Sequence, residues 1–449
     1  MTYDIKKIRL NILKIILPIM AANVLEMLVG LISMALIGNL GAIAIGAMGL
    51  STRVRGIIWA IFKGISIGGQ VVVAQAIGSN ETKKVTESMR QTVVSMFLIS
   101  LLFVVTMWLF PSSWLTIFGA KDELLKVSID VLRISSLGIP FLGIVIIVSG
   151  ILQGKGDATT PMIIGAIMNI LNVIIGVILV NGLLGFPKLG LFGAAIALML
   201  SQIVAGIISL YLVSKMDMFK STFKISRMFS FNKSIINSVY KTGIPSALES
   251  LFWQLSTVIV IRVILSYGND AYAAYQLGLQ AESISFMPAA GFTVAATTFI
   301  GQQLGANDKE LAKVYYKEIF KGSFIISLIL GGGLALFPGS VLSLMTNNDT
   351  LIGIGSIYLI FCGLAQLPQN LAGVTGGALR GAGYTKPSMY SAGIGLYGFR
   401  VPMSLLIAYV FHGSINLVFL TIGIDMVIRY VLNLYFYKKY RIYENPKLV

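Results

Sequence analysis

Four carboxylates stand inside long apolar stretches of this sequence: Glu26, Glu249, Glu282 and Asp425. A charge at the centre of a bilayer costs about 2.5–3.5 kcal/mol on insertion scales, so such groups face a partner or water and often mark ion pathways. The chemistry open to them is reversible capture of a small cation. A carboxylate can ligate Na⁺, or hold a proton when burial disfavours its charged form. Cations share these stretches, notably Lys63, Arg53, Arg55 and Arg429. Asp425 and Arg429 are spaced i,i+4 on one helix face and read as a structural pair. Glu26 has two readings: it binds the ion, or it pairs with Lys63, whose ammonium would repel a cationic ligand.

Other chemistry is poorly served. The chain has one cysteine, Cys362, and one histidine, His412, so it holds no His/Cys cluster for a metal and no internal disulfide. Neither HExxH nor GxxxxGK[ST] occurs, which argues against a zinc hydrolase and an ATP-driven machine. No enzyme activity and no cofactor are expected, and a channel is disfavoured because no repeated filter sequence is visible.

The elements that position these residues follow from composition. Of 449 residues 56% are apolar and only 12% charged, about half the charge of a soluble domain. Apolar runs bounded by Gly, Pro and charge predict helices near 10–37, 52–77, 91–111, 128–152, 161–181, 191–214, 239–267, 271–303, 318–338, 351–379, 387–411 and 415–437, each long enough to span a bilayer. The net charge of +16 lies in alternate loops: twenty-four Lys and Arg fall on the side of the termini, against Lys121, Lys126 and Lys188 opposite. The positive-inside rule then places both termini in the cytoplasm. Topology explains the basic excess without a nucleic-acid partner.

Self-comparison at an offset of 227 aligns Pro18 with Pro245, Gly41 with Gly268, Gly64 with Gly291, Gln75 with Gln302 and Gly78 with Gly305. The same offset matches Leu152-Gln153-Gly154-Lys155-Gly156 to Leu379-Arg380-Gly381-Ala382-Gly383, with Pro161 and Pro387 following. Gly and Pro at element ends are set by backbone geometry rather than hydrophobicity, so a duplication is the simplest account. The predicted fold is an all-α polytopic membrane protein of twelve transmembrane helices. Its two six-helix lobes, residues 1–214 and 238–449 joined by a linker over 215–237, would be related by a pseudo-two-fold axis along the membrane normal.

These features resemble the multidrug and toxic compound extrusion (MATE) transporters over nearly the whole chain. The specific fragments are Ile37-Gly38-Asn39-Leu40-Gly41, Ala74-Gln75-Ala76-Ile77-Gly78, Gly301-Gln302-Gln303-Leu304-Gly305-Ala306, the paired Leu-Gln/Arg-Gly-x-Gly and Arg400-Val401-Pro402. The resemblance implies a secondary antiporter that exports organic, often cationic, compounds in exchange for Na⁺ or H⁺. The alternative is a flippase for lipid-linked or polar lipid intermediates, a related class whose clefts carry basic residues; Lys63, Arg53 and Arg55 favour it. Expected surroundings are a bacterial inner membrane, small organic substrates and lipid, with the protein acting as a monomer.

The family often places an acid in the seventh helix just after its proline, which here selects Glu249, after Pro245, as the coupling residue and site of any Na⁺. The first-lobe aspartates usual in the family are replaced by Ser33 and Gly176, leaving Glu26, on the same helix face as Ser33, to take over. Glu282 is expected to pair with a cation of the other lobe, Arg55 holding its repeat-equivalent position. Polar stripes at Asn169 and Asn172, and at Gln366, Gln369 and Asn370, either line a wet cleft or tie helices together. Trp253, Tyr275, Gln276, Phe286 and Met287 complete the candidate cleft, Met and aromatics offering an adaptable wall.

Overall fold

In the computed structural model, which describes residues 3–38, 40–219 and 232–449, the described residues are helical with no strand. The first half comprises α1 (Ile5–Gly38), α2 (Ala42–Gly78), α3 (Thr82–Leu109), α4 (Pro111–Thr116), α5 (Asp122–Ser136), α6 (Ile139–Lys155), α7 (Thr159–Asn181) and α8 (Gly190–Lys215). The second comprises α9 (Lys233–Leu265), α10 (Asn269–Gly305), α11 (Lys309–Leu336), α12 (Pro338–Ser343), α13 (Asp349–Gly381), α14 (Lys386–Gly393), α15 (Val401–Leu405) and α16 (Ile415–Tyr440). Eleven stretches are long and apolar enough to cross a membrane, and the bent pair α5–α6 makes a twelfth. The predicted spans are therefore all present. Part of the predicted linker, 220–231, lies outside the described residues.

The repeat is visible in the helix boundaries. Shifting α2, α3 and α4 by 227 reproduces both ends of α10, α11 and α12, and the starts of α5 and α7 map onto those of α13 and α14. The ends of α1 and α9 match as well, their starts differing by one residue, and the last pair slips by two, α8 and α16 being offset by 225.

Two spans depart from the expected single helices. The fourth, predicted as continuous over 128–152, breaks between α5 and α6 with a bend of 50°. Pro140 is the cause: it removes a backbone donor and its ring crowds the Ser136 carbonyl four residues back. The eleventh, predicted as one helix over 387–411, contains two π-helical stretches, Ile394–Arg400 and Leu406–Val410, on either side of α15. Such wide turns absorb an extra residue in a helix and recur at functional sites. They flank Pro402 of the Arg400-Val401-Pro402 motif.

The chain divides into two compact units, one of Met1–Met20, Ala74–Asn80 and Thr242–Val449, the other of Ala21–Val73 and Glu81–Lys241. In the first, the ends of α2 and α10 cross so closely that a Cβ on Gly78 would overlap the Gln302 carbonyl, and one on Gly305 the Gln75 carbonyl. That crossing explains why Gln75/Gln302 and Gly78/Gly305 recur together. The Gln75 amide donates to the carbonyls of Gly381 at 3.0 Å and Lys447 at 3.2 Å, and its Oε1 accepts from the Val449 amide at 2.8 Å. At the start of α1, Arg9 pairs with Glu318 at 2.6 Å. In the second unit the core includes Ala44, Ala47, Val131, Leu191 and Ala195 from α2, α5 and α8.

Candidate functional site

The second half assembles three carboxylates, each with different partners. Glu249, one turn beyond Pro245 in α9, accepts from Arg380 Nη1 of α13 at 3.3 Å. The Glu249 side chain is 27% exposed, whereas that of Asp425 is wholly enclosed. Asp425 of α16 is fully enclosed, with Oδ2 at 2.9 Å from Arg400 Nη2 and 3.2 Å from Arg429 Nη2. The i,i+4 pair read from sequence is present, and Arg400 makes it a triad. Gly395, in the first π-helical stretch, leaves the room: a Cβ there would overlap Asp425 Oδ1. Both guanidinium groups also stack over Trp253, at 5.1 and 5.0 Å from its ring centre.

Glu282 of α10 is held by neutral donors. Tyr358 OH donates to its Oε2 and Gln366 Nε2 to its Oε1 at 2.8 Å. Gly278, one turn before Glu282, opens the slot that the Tyr358 ring fills. Arg400 and Arg429 act on Glu282 electrostatically from further away. Oxygens of Gln366, Gln369 and Asn370 are buried without a hydrogen-bond partner among the described residues, while Asn370 donates to Ser327 at 2.9 Å.

The first half offers less acid and more base. Glu26 is exposed on α1 and interacts electrostatically with Lys63 of α2. Arg55 is buried at 8% exposure, and its Nη1 has no partner among the described residues. Ser33, Asn169 and Asn172 are half-buried.

The predicted site residues thus fall into groups. Glu249, Trp253, Glu282, Gln366 and Asn370 belong to one compact unit, with Gln276 donating to Tyr272 OH at 2.6 Å. Met287 is half-buried on α10. Two expectations for the apolar wall change: Trp253 is a platform for two arginines, and Tyr275 is buried in the core against Tyr358 and Phe419. The cation expected for Glu282 is replaced at contact distance by Tyr358 and Gln366. Sequence reasoning missed Arg380, which reads as one of the cytoplasmic positive charges, and Tyr358, which carries no local signal. Arg400 was legible as a motif but not as a partner of Asp425. One GxSxG match does occur, Gly64 to Gly68, but the nucleophile elbow it marks needs a strand-to-helix turn. Here Ser66 lies within α2 and donates to the Ile146 carbonyl at 2.7 Å.

The MatE family profile matches residues 18–178 and again 245–406. This chain belongs to the MatE family. The two matches begin 227 residues apart, so the family signature is itself duplicated along the chain. Among MatE relatives, the probable multidrug resistance protein NorM of Thermotoga maritima is 29% identical over 442 residues, covering 97% of this chain and 93% of its own. The probable multidrug resistance protein YoeA of Bacillus subtilis is 24% identical, with 88% and 86% covered. Solved MatE-type structures share the fold. The Vibrio cholerae MATE transporter VcmN superposes with TM-score 0.89 at 17% identity, covering 98% of this chain and 99% of that one. A MOP superfamily transporter of Pyrococcus furiosus, described as having a binding pocket of reverse polarity, superposes with TM-score 0.87 at 21% identity, covering 97% and 96%. The chain is accordingly a multi-pass membrane protein of a multidrug-efflux transporter family.

Proposed function

We propose that this MatE member is a secondary active antiporter of a bacterial inner membrane, exporting organic compounds, cationic ones among them, in exchange for Na⁺ or H⁺. Both termini are assigned to the cytoplasm by the distribution of Lys and Arg. The observation that carries the reading is the contrast between Glu249 and the two sealed carboxylates, Glu282 and Asp425. Glu249 is partly exposed, and a single 3.3 Å contact holds it to Arg380. A proton or Na⁺ arriving at Glu249 removes the charge that holds Arg380 and releases the α9–α13 link. Such a bound ion shifts the protein between states only through its different affinity for each, and export is the reciprocal of that preference. Glu26 is the lesser coupling group, because Lys63 already opposes its charge.

Efflux of a fluorescent cationic dye from proteoliposomes, with Na⁺ and H⁺ gradients imposed independently, tests the reading. Glu249→Gln is expected to abolish the response to the coupling gradient, and Glu26→Gln to reduce it less. Dye movement indifferent to both gradients and both substitutions would sink the antiporter. The flippase reading, supported by Arg53, Arg55 and Lys63, would then move to the front.

A further inference from the structure

Between Ala21 and Val73 the charged residues are Glu26, Arg53, Arg55 and Lys63, three cations against one carboxylate. They differ in circumstance. Arg53 is exposed. Lys63 has Glu26 acting on it. Arg55 is enclosed: it is 8% exposed, and its Nη1 has no partner among the described residues. One turn earlier on the same face of α2, Ser51 is 1% exposed and its hydroxyl also lacks a partner. Lys63 follows two turns later on that face. At the matching position of the second half, Glu282 receives two directed donors. Arg55 presents the mirror requirement, a guanidinium whose buried Nη1 has no acceptor among the described residues.

A buried unpaired guanidinium is costly unless something supplies the missing charge, and its fork matches the two oxygens of a carboxylate or phosphate. We propose that α2 binds an anionic oxyacid group of a transported molecule at Arg55, with Ser51 as a second donor and Lys63 adding positive potential. This rests on the transport role proposed above and adds a substrate class to it: anionic or zwitterionic compounds carrying a carboxylate or phosphate, from a soluble compound or a lipid headgroup.

The test uses the purified full chain and two probes of stated chemistry. Binding of carboxyfluorescein is followed by fluorescence anisotropy in detergent, and transbilayer movement of fluorescent phosphatidylglycerol by dithionite quenching in proteoliposomes. Arg55→Gln is expected to weaken carboxyfluorescein binding by roughly tenfold or more, in line with loss of a charged hydrogen bond. Arg55→Lys restores part of it, and Ser51→Ala weakens it by a smaller factor. Removing an unpaired cation should also tighten ethidium binding, an effect that a purely structural arginine would not produce. Arg262→Gln, at an exposed position of α9, is the control. Phosphatidylglycerol movement lost in Arg55→Gln, with carboxyfluorescein ignored by wild type, would identify the headgroup as the source of the oxyacid. If Arg55→Gln does not fold, Arg55→Lys and Ser51→Ala carry the comparison. Both probes handled equally by wild type and the variants, or neither handled by wild type, overturns the site. Arg55-dependent binding without any gradient-driven efflux would instead overturn antiport and leave the site standing.

Discussion

The two halves of this protein share a backbone and almost none of its interior charge. Ala42–Gly78 and Asn269–Gly305 begin and end at equivalent residues, yet Arg55 in one stands where Glu282 stands in the other. Arg380, Arg400 and Glu249 of the second half correspond to Gln153, Val173 and Ala22 of the first. Helix ends are fixed by features that a duplicated chain cannot easily lose: glycines with no room for a Cβ and chain reversals at fixed spacing. Interior charges answer only to their own neighbours. They are therefore free to differ between the halves.

Exchanging pieces between the halves probes that contrast. Arg400→Ala leaves Asp425 enclosed with part of its counter-charge gone and is expected to cost about 3–5 kcal/mol. Its counterpart Val173→Ala should cost about 1 kcal/mol or less. Thermal unfolding of the two purified variants in detergent measures the gap, and equal losses would mean that the triad does not hold the second half. Gly395→Ala, which drives a methyl into Asp425, should cost about 1–3 kcal/mol. Gly165→Ala writes in the residue found at its repeat position, Ala392, where nothing lies within 4 Å of the new Cβ, and should gain about 0.5–1 kcal/mol. Effects of similar size concern helix starts. Asp308 caps α11 by accepting from the Leu311 amide at 2.9 Å, whereas its counterpart Glu81 makes no cap bond at the start of α3. Asp308→Ala should lose about 1 kcal/mol and Glu81→Asp gain up to that amount, visible as opposite shifts in Tm.

Most of the fold was legible because its signals are local. Apolar runs gave the twelve spans, and Gly and Pro at offset 227 gave the repeat. The bend at Pro140 and the π-helical stretches around Pro402 were not. Pro368 lies within an unbroken α13, so a proline alone does not decide between a bent and a broken helix. The site was legible in its acids, since a carboxylate in an apolar run stands out by itself. Its partners were hidden. Arg380 sits among charges already explained by topology, and Tyr358 and Gln366 lie 76 and 84 residues from Glu282.

The hold of Gln75 on Val449 bears on biosynthesis. Its side chain is satisfied by the amide of Val449, 374 residues later. At about 5–20 residues per second of synthesis, the end of α2 waits roughly 20 to 75 s for that partner. During that interval a polar amide at a helix crossing made for glycines is only partly satisfied.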